Sequence, residues 1–512
     1  MIKDSHKRPP GFFERQYICR NTKDYWGNFN ITVQYSSRIS QNLLSNALRN
    51  VILGNQNFVL NFFRLSSYSA EDDHVANGFN YEVRPIQRIL FSDVVAFETI
   101  DGHLDDECFV KMNQFRCHMN VDTSPLWRVI LWESNDESST QYLSFYCDHA
   151  LFDGTSGVQF HRDLIEELAR LSMDEGHLSF KETLFEYELD HSYLPDPLGD
   201  ALENKIDLYH RPLIQKVILW FQKSTSLVRG KLLAIGTSLS RFLRSVFGFT
   251  DYSLIDDNGE NKLFRYKPGT VGLIHKYKII NFSPKETSDV LRFCKSEGVT
   301  LTPFILIIAT RSLEKTIFAD INVLNNGKET ATERYSTVSK ISINGRRHYS
   351  AEVNKEKNLK YGVCVATTPI PLPSLADTDD GKLLRVIKKL SSDVLSYAVY
   401  RNCFWNFGDY LKTANFWDSF KSQIGNFTRD TLYTSNLGFV NIEKIDAWEV
   451  KNIWFTQSNG LVYHFVFSVV SSLSGGLNIG LGYLPEFDEV EGSVDGFVRT
   501  FKEDMLNFKS HA

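Results

Sequence analysis

Residues 142–168 constrain this chain more than any other stretch. Tyr142, Leu143, Phe145 and Tyr146 form a short apolar and aromatic run of strand character that leads straight to His149. Val158, Leu164, Ile165 and Leu168 then recur at helical spacing. Between the two stands His149-Ala150-Leu151-Phe152-Asp153-Gly154. A histidine at the end of a strand, with an Asp four residues on and a Gly after it, has the placement a general base requires.

Placement, not spacing, carries the weight. With 13 histidines in the chain, about one His-x-x-x-Asp match arises by chance. His118-Met119-Asn120-Val121-Asp122 is such a match. It lacks the following Gly, and an extended stretch comes next in place of a helix. We read His118 as a decoy.

A chain of 512 residues is too long for one ordinary core and implies two domains. We expect an N-terminal domain over 1–207, a crossover over 208–267 and a C-terminal domain over 268–512. In the first, Ser40 caps a helix carrying Leu43, Leu44, Ala47, Leu48 and Val51, with Gly54 as its stop, and 57–65 reads as a strand. In the second, a strand over 272–281 precedes a helix opened by Ser283-Pro284-Lys285-Glu286. Late strands over 461–471 and 476–484 close the domain.

The net charge of −6 argues against general nucleic-acid binding. Seven scattered cysteines contain no Cys-x-x-Cys pair, so no zinc or redox motif is expected and the thiols read as free in a reducing compartment. Cys147 shares a strand face with His149, the placement of a Cys-His nucleophile pair, a reading we do not favour. The N-terminus has no apolar core of secretory type, and no run of 18 apolar residues occurs.

Several segments match, in order, those of a known group. Ser124-Pro125-Leu126-Trp127-Arg128-Val129 lies one strand upstream of His149. Thr302-Pro303-Phe304 opens an apolar helical run to Leu313. Ile343-Asn344-Gly345-Arg346-Arg347 is an arginine segment, and Thr434-Ser435-Asn436-Leu437-Gly438 a short polar turn. With the His149 motif, they make the chain resemble the fungal alcohol acetyltransferase family, within the acyl-CoA-dependent transferases of chloramphenicol acetyltransferase-like fold. The plant-type Asp-Phe-Gly-Trp-Gly motif is absent, which places the chain outside that branch.

The resemblance implies an α/β (α+β) architecture. Two chloramphenicol acetyltransferase-like domains, each a mixed sheet with flanking helices, would enclose an active-site tunnel. It implies that His149 takes the acceptor's proton and returns it to the leaving thiolate. It implies that Asp153 turns from the histidine to pair with an arginine of the second domain, Arg346 or its neighbour Arg347. Gly154 would give the backbone room to turn into the helix. Ser435 and Asn436 would supply oxyanion or substrate contacts.

Acetyl-CoA enters as a co-substrate, with no permanently bound cofactor and no metal. The acceptor is a hydrophobic alcohol; a long-chain amine such as a sphingoid base is the alternative, and a non-catalytic binding protein of the same fold the reading from another class. We expect a monomer. Some relatives associate with the endoplasmic reticulum or lipid droplets, so a peripheral position on their cytoplasmic side is implied.

Between residues 208 and 250 there is no Asp or Glu, while seven Lys and Arg, from Arg211 to Arg244, alternate with apolar residues such as Trp220, Phe221 and Phe242. That composition suits contact with an anionic membrane surface, or a crossover packed on the protein body.

Overall fold

The computed structural model describes residues 2–23, 27–65, 78–136, 140–217, 262–263, 275–320, 335–413, 415–419, 430–459, 463–488 and 493–508. The first half carries strands β1 (Asn28–Tyr35), β2 (Val95–Ile100), β3 (Trp127–Ser134) and β4 (Gln141–Asp148), and helices α1 (Phe12–Thr22), α2 (Gln41–Leu53), α3 (Asp106–Gln114) and α4 (Gly154–Ser172). The second half carries β5 (Lys276–Phe282), β6 (Tyr335–Asn344), β7 (Val365–Leu372), β8 (Asp430–Phe439), β9 (Val450–Gln457), β10 (Tyr463–Ser472) and β11 (Gly476–Tyr483). Its helices are α5 (Pro284–Glu297), α6 (Leu301–Lys315), α7 (Asp380–Leu395), α8 (Tyr397–Thr413) and α9 (Ser493–Asn507).

The strands form two mixed sheets. The first runs β9-β1-β4-β3-β2, and the second β5-β11-β10-β8-β6-β7 with the short Lys262–Leu263 pairing beside β6. Val450–Gln457 therefore departs from the expected division of the chain. It lies in the C-terminal part of the sequence but pairs antiparallel along β1, from Phe29 opposite Gln457 to Tyr35 opposite Val450. Local pattern cannot reveal this, because pairing partners some 420 residues apart are set by the closing of the whole fold.

Every residue of β4 is buried. It reads as a continuous apolar run, not an alternating one, because both sheet faces are covered. Helices α2 and α4 cover one face, with Leu43, Leu48, Leu164 and Leu168 in a common core. Phe109 and Met112 of α3 pack with Trp132 and Tyr142 in another cluster. The second sheet has its own core, built on Phe304, Ile307, Phe467 and Leu481.

Local signals act as read. Ser40 Oγ accepts the Leu43 N–H at 3.2 Å, and Ser283 and Glu286 form a reciprocal cap at the start of α5. The strand expected over 57–65 is shorter, Leu60–Arg64, because Gln56–Val59 forms a 3-10 turn. Phe497, Phe501 and Met505 of α9 are buried in the second core, so this helix docks on the protein itself.

The halves meet through a third core. Phe12 and Phe13 of α1, with Leu208 and Tyr209, pack on Cys364, Tyr400 and Phe404. Gly408 permits the approach: a Cβ there would lie 2.3 Å from the Tyr209 carbonyl oxygen. Arg211, first of the basic residues in the 208–250 stretch read as membrane contact or packed crossover, is buried in this seam and donates to Asp409 at 2.7 Å. Leu213, Ile214 and Val217 just after it are exposed, and residues 218 to 250 lie outside the described residues.

Candidate active site

His149 follows β4 directly. Its backbone N–H donates to the Gly27 carbonyl at 2.9 Å, and its Nδ1 lies 3.0 Å from the Phe152 carbonyl oxygen. A carbonyl only accepts, so Nδ1 carries the proton and Nε2 is left with a lone pair. The ring is stacked on Tyr17, with centroids 5.4 Å and planes 15° apart, and lies 4.6 Å from the Phe29 ring. Burial pulls its pKa down to about 4, with the Arg20 charge acting the same way and Asp153 opposing both. The imidazole is therefore neutral at physiological pH.

Asp153 does not bond to His149 Nδ1; that place is taken by Phe152. Its carboxylate caps α4 through the Ser156 N–H at 2.9 Å and accepts from the Cys364 N–H at 3.0 Å and from Arg346 Nη1 at 2.5 Å. Burial would raise its pKa, but the Arg346 charge and these donors outweigh that and hold it below the usual carboxylate value. Arg346 is itself buried and donates to the carbonyls of Leu359 (2.6 Å) and Gly362 (2.8 Å). The two arginines left open by the sequence thus separate. Arg346 faces inward to Asp153, while exposed Arg347 lines the cavity.

Gly154 opens α4, but not for conformational freedom, since its φ is outside the left-handed region. A Cβ there would meet Leu437 Cδ2 at 2.6 Å. The glycine lets the second half of the molecule press against the start of the histidine helix. Asn344 Nδ2 donates to Thr155 Oγ1 at 3.1 Å across the same seam.

Ser435 and Asn436 do reach the site, but the segment holding them is not a turn. It lies inside β8, where the register slips between Asn436 and Phe439 and Gly438 takes φ +79°. This is a β-bulge, a device that re-aims side chains next to a site. Asn436 sustains it: Oδ1 accepts the Gly438 N–H at 2.7 Å, and Nδ2 donates to Thr302 Oγ1 at 2.9 Å. The Asn436 amide is committed to structure, whereas Ser435 stands beside the Tyr433 phenol on the cavity wall.

These residues surround a cavity of about 1030 Å³ between the halves. Tyr17, Arg20, His149 and Thr155 line it from the first half; Ser342, Thr367, Asn402, Asn406 and Tyr433 line it from the second. Tyr17, Phe29, Tyr433 and α8 were missed by sequence reasoning. Their only signal was the high aromatic content, which is ordinarily just core. His118 does not line the cavity, and the Asp122 of its motif pairs with Arg84 at 2.6 Å. Cys147 is fully buried in the first core, its thiol pushed well above the ordinary value by burial. Among the described residues no group of His, Cys, Asp and Glu is arranged to hold a metal ion.

The sequence profile of the alcohol acetyltransferases matches residues 10–505. The chain belongs to the alcohol acetyltransferase family. Alcohol O-acetyltransferase 1 of Saccharomyces cerevisiae is 23% identical over 229 residues, 40% of this chain and 43% of that protein, so the match spans less than half the length of this curated relative. Trichothecene 15-O-acetyltransferase TRI3 of Fusarium sporotrichioides superposes with a TM-score of 0.60 at 12% identity, covering 98% of this chain and 95% of that one. The first condensation domain of the CDA synthetase gives 0.54 at 13% identity, covering 98% and 97%. The alcohol acetyltransferase fold here is thus the two-lobed, chloramphenicol acetyltransferase-like fold, and the general chemistry of that superfamily is acyl transfer.

Proposed function

We propose that this alcohol acetyltransferase-family protein moves an acetyl group from acetyl-CoA to the hydroxyl of a hydrophobic alcohol, with His149 as general base. The observation that carries the reading is the lone pair of His149 Nε2, left by the Nδ1 bond to Phe152 in a ring that lines a cavity both halves build. Nε2 takes the hydroxyl proton as the oxygen attacks the thioester carbonyl. The carbonyl oxygen becomes an oxyanion, for which the Ser435 hydroxyl on the cavity wall is a candidate donor from β8. The C–S bond then breaks, and the departing thiolate takes the proton from His149. General-base assistance of this kind is worth about 10²–10⁴-fold.

The charges on the cavity wall favour a hydroxyl over a protonated amine. Among the described residues on the cavity wall the cations are Arg20, Lys340 and Arg347, of which Lys340 pairs with Asp430, while the one carboxylate, Asp153, is already paired with Arg346. A protonated long-chain amine therefore meets no unpaired carboxylate among the described residues of that wall. The names of the Saccharomyces and Fusarium relatives point to hydroxyl acceptors as well.

The test is thiol release from acetyl-CoA by wild type and His149→Ala, offered medium-chain alcohols, sterols and long-chain amines. Alcohol-dependent release that falls at least about 10²-fold in the variant supports the reading. Release with amines alone reassigns the acceptor. No release with any acceptor from folded protein leaves a binding role or another acyl donor.

A further inference from the structure

The imidazole of His149 is held on several sides, and most of what holds it comes from outside its own motif. Nδ1 is fixed by the Phe152 carbonyl and the backbone N–H by the Gly27 carbonyl. The Tyr17 ring lies parallel against one face of the imidazole. Tyr17 is itself slotted into place: a Cβ on Gly27 would lie 2.6 Å from its Cε1 and 2.9 Å from its Cδ1. Only the missing side chain of Gly27 makes room for the ring. The Arg20 guanidinium, one turn along α1, lies 5.3 Å from the Tyr17 ring centroid.

Helix α1 is anchored independently of the site. Glu14 accepts two bonds of 2.7 Å from Arg8 and a third of 2.7 Å from the Gly11 N–H, and the Phe13 N–H donates to Glu203 at 3.0 Å. A rigid helix thus presses a flat ring onto the imidazole. Rotation of the imidazole about its own χ2, the motion that would swing Nε2 off the acceptor, turns an edge of the imidazole toward that offset, near-parallel ring.

We propose that Tyr17, seated in the Gly27 slot, is a positioning residue for the acyl-transfer reaction: its ring locks the orientation of the His149 imidazole and keeps water from it. This rests on the His149 reading above. The phenol oxygen is not what matters; the flat ring is. Tyr17→Phe should therefore behave as wild type, while Tyr17→Leu, which keeps bulk but loses the flat face, should not. A misplaced base costs about 10²-fold in kcat with KM little changed.

The experiment has two readouts. Steady-state kcat and KM are measured for wild type, Tyr17→Phe, Tyr17→Leu and Gly27→Ala. In parallel, protein labelled at histidine Cε1 is titrated by NMR, with the His149 signal identified by its loss in His149→Gln. Asp153 is untouched in all of these, whereas Arg20 touches both sites, so an Arg20→Gln control measures how much of any shift its charge contributes. Wild type and Tyr17→Phe should titrate near pH 4. Tyr17→Leu and Gly27→Ala admit water, so their midpoint should move up toward about 6.5 as kcat falls about 10²-fold. A Tyr17→Leu protein with the wild-type titration and kcat within about threefold overturns the proposal. So does a Tyr17→Phe as impaired as Tyr17→Leu. If Tyr17→Leu fails to fold, Gly27→Ala is judged by the same two criteria. Full turnover in His149→Gln would instead sink the functional reading, and the NMR titration would still report on the packing.

Discussion

At the scale of single residues, Asp153 and His149 have opposite electrostatic fates four positions apart. Asp153 is charged and paired; removing it strands Arg346 among buried groups. Asp153→Ala should cost about 3–5 kcal/mol, read by denaturant unfolding, as well as activity. If it melts like wild type yet is inactive, the pair is not structural. Its stabilising contribution is present above the unfolded carboxylate pKa and is lost as pH falls through the lower folded value. His149 must be neutral to act. With its pKa at about 4, kcat/KM should hold across pH 5.5–8 and drop only as pH approaches about 4. A midpoint near 6.5 would show the ring to be solvated. Gly154→Ala drives a methyl into Leu437 and should cost about 1–3 kcal/mol, with partial rescue by Leu437→Ala as measured by thermal melts.

At the scale of elements, the strand–histidine–helix unit and both helix caps were legible because each is a local pattern. The arginine segment was legible only to the pair Arg346 or Arg347; which one turns inward depends on where Asp153 arrives from the other half. Thr434-Ser435-Asn436-Leu437-Gly438 misread as a turn, since a polar run ending in Gly carries turn chemistry whether it reverses the chain or bulges a strand. Asn436 decides that it bulges. Asn436→Ala removes two hydrogen bonds, about 1 kcal/mol each, and frees Ser435 to shift. We expect kcat to fall with little change in melting temperature; an unchanged kcat would separate the bulge from catalysis. Tyr17 was invisible because the ring that touches His149 lies 132 positions earlier in the chain, in an N-terminal helix whose weak amphipathic pattern gives no hint of a site.

At the scale of the whole molecule, the halves are joined by the α1–α8 seam, the Asp153–Arg346 pair and the crossing strand β9. The first sheet is not complete within its own half of the sequence. A fragment of residues 1–217 leaves β1 with an unpaired edge and should be protease-sensitive and prone to aggregate. Heat should unfold the full chain in one calorimetric transition; two well-separated transitions would show the lobes to be independent.

The borrowed strand also bears on how this protein can diverge or be engineered. Residues 28–35 and 450–457 must change together, because their side chains share a surface although they lie at opposite ends of the chain. A chimaera made by joining the front of one homologue to the back of another brings together two strands with no shared history. The seamless graft is discontinuous: residues 1–207 of one parent together with that parent's 450–457.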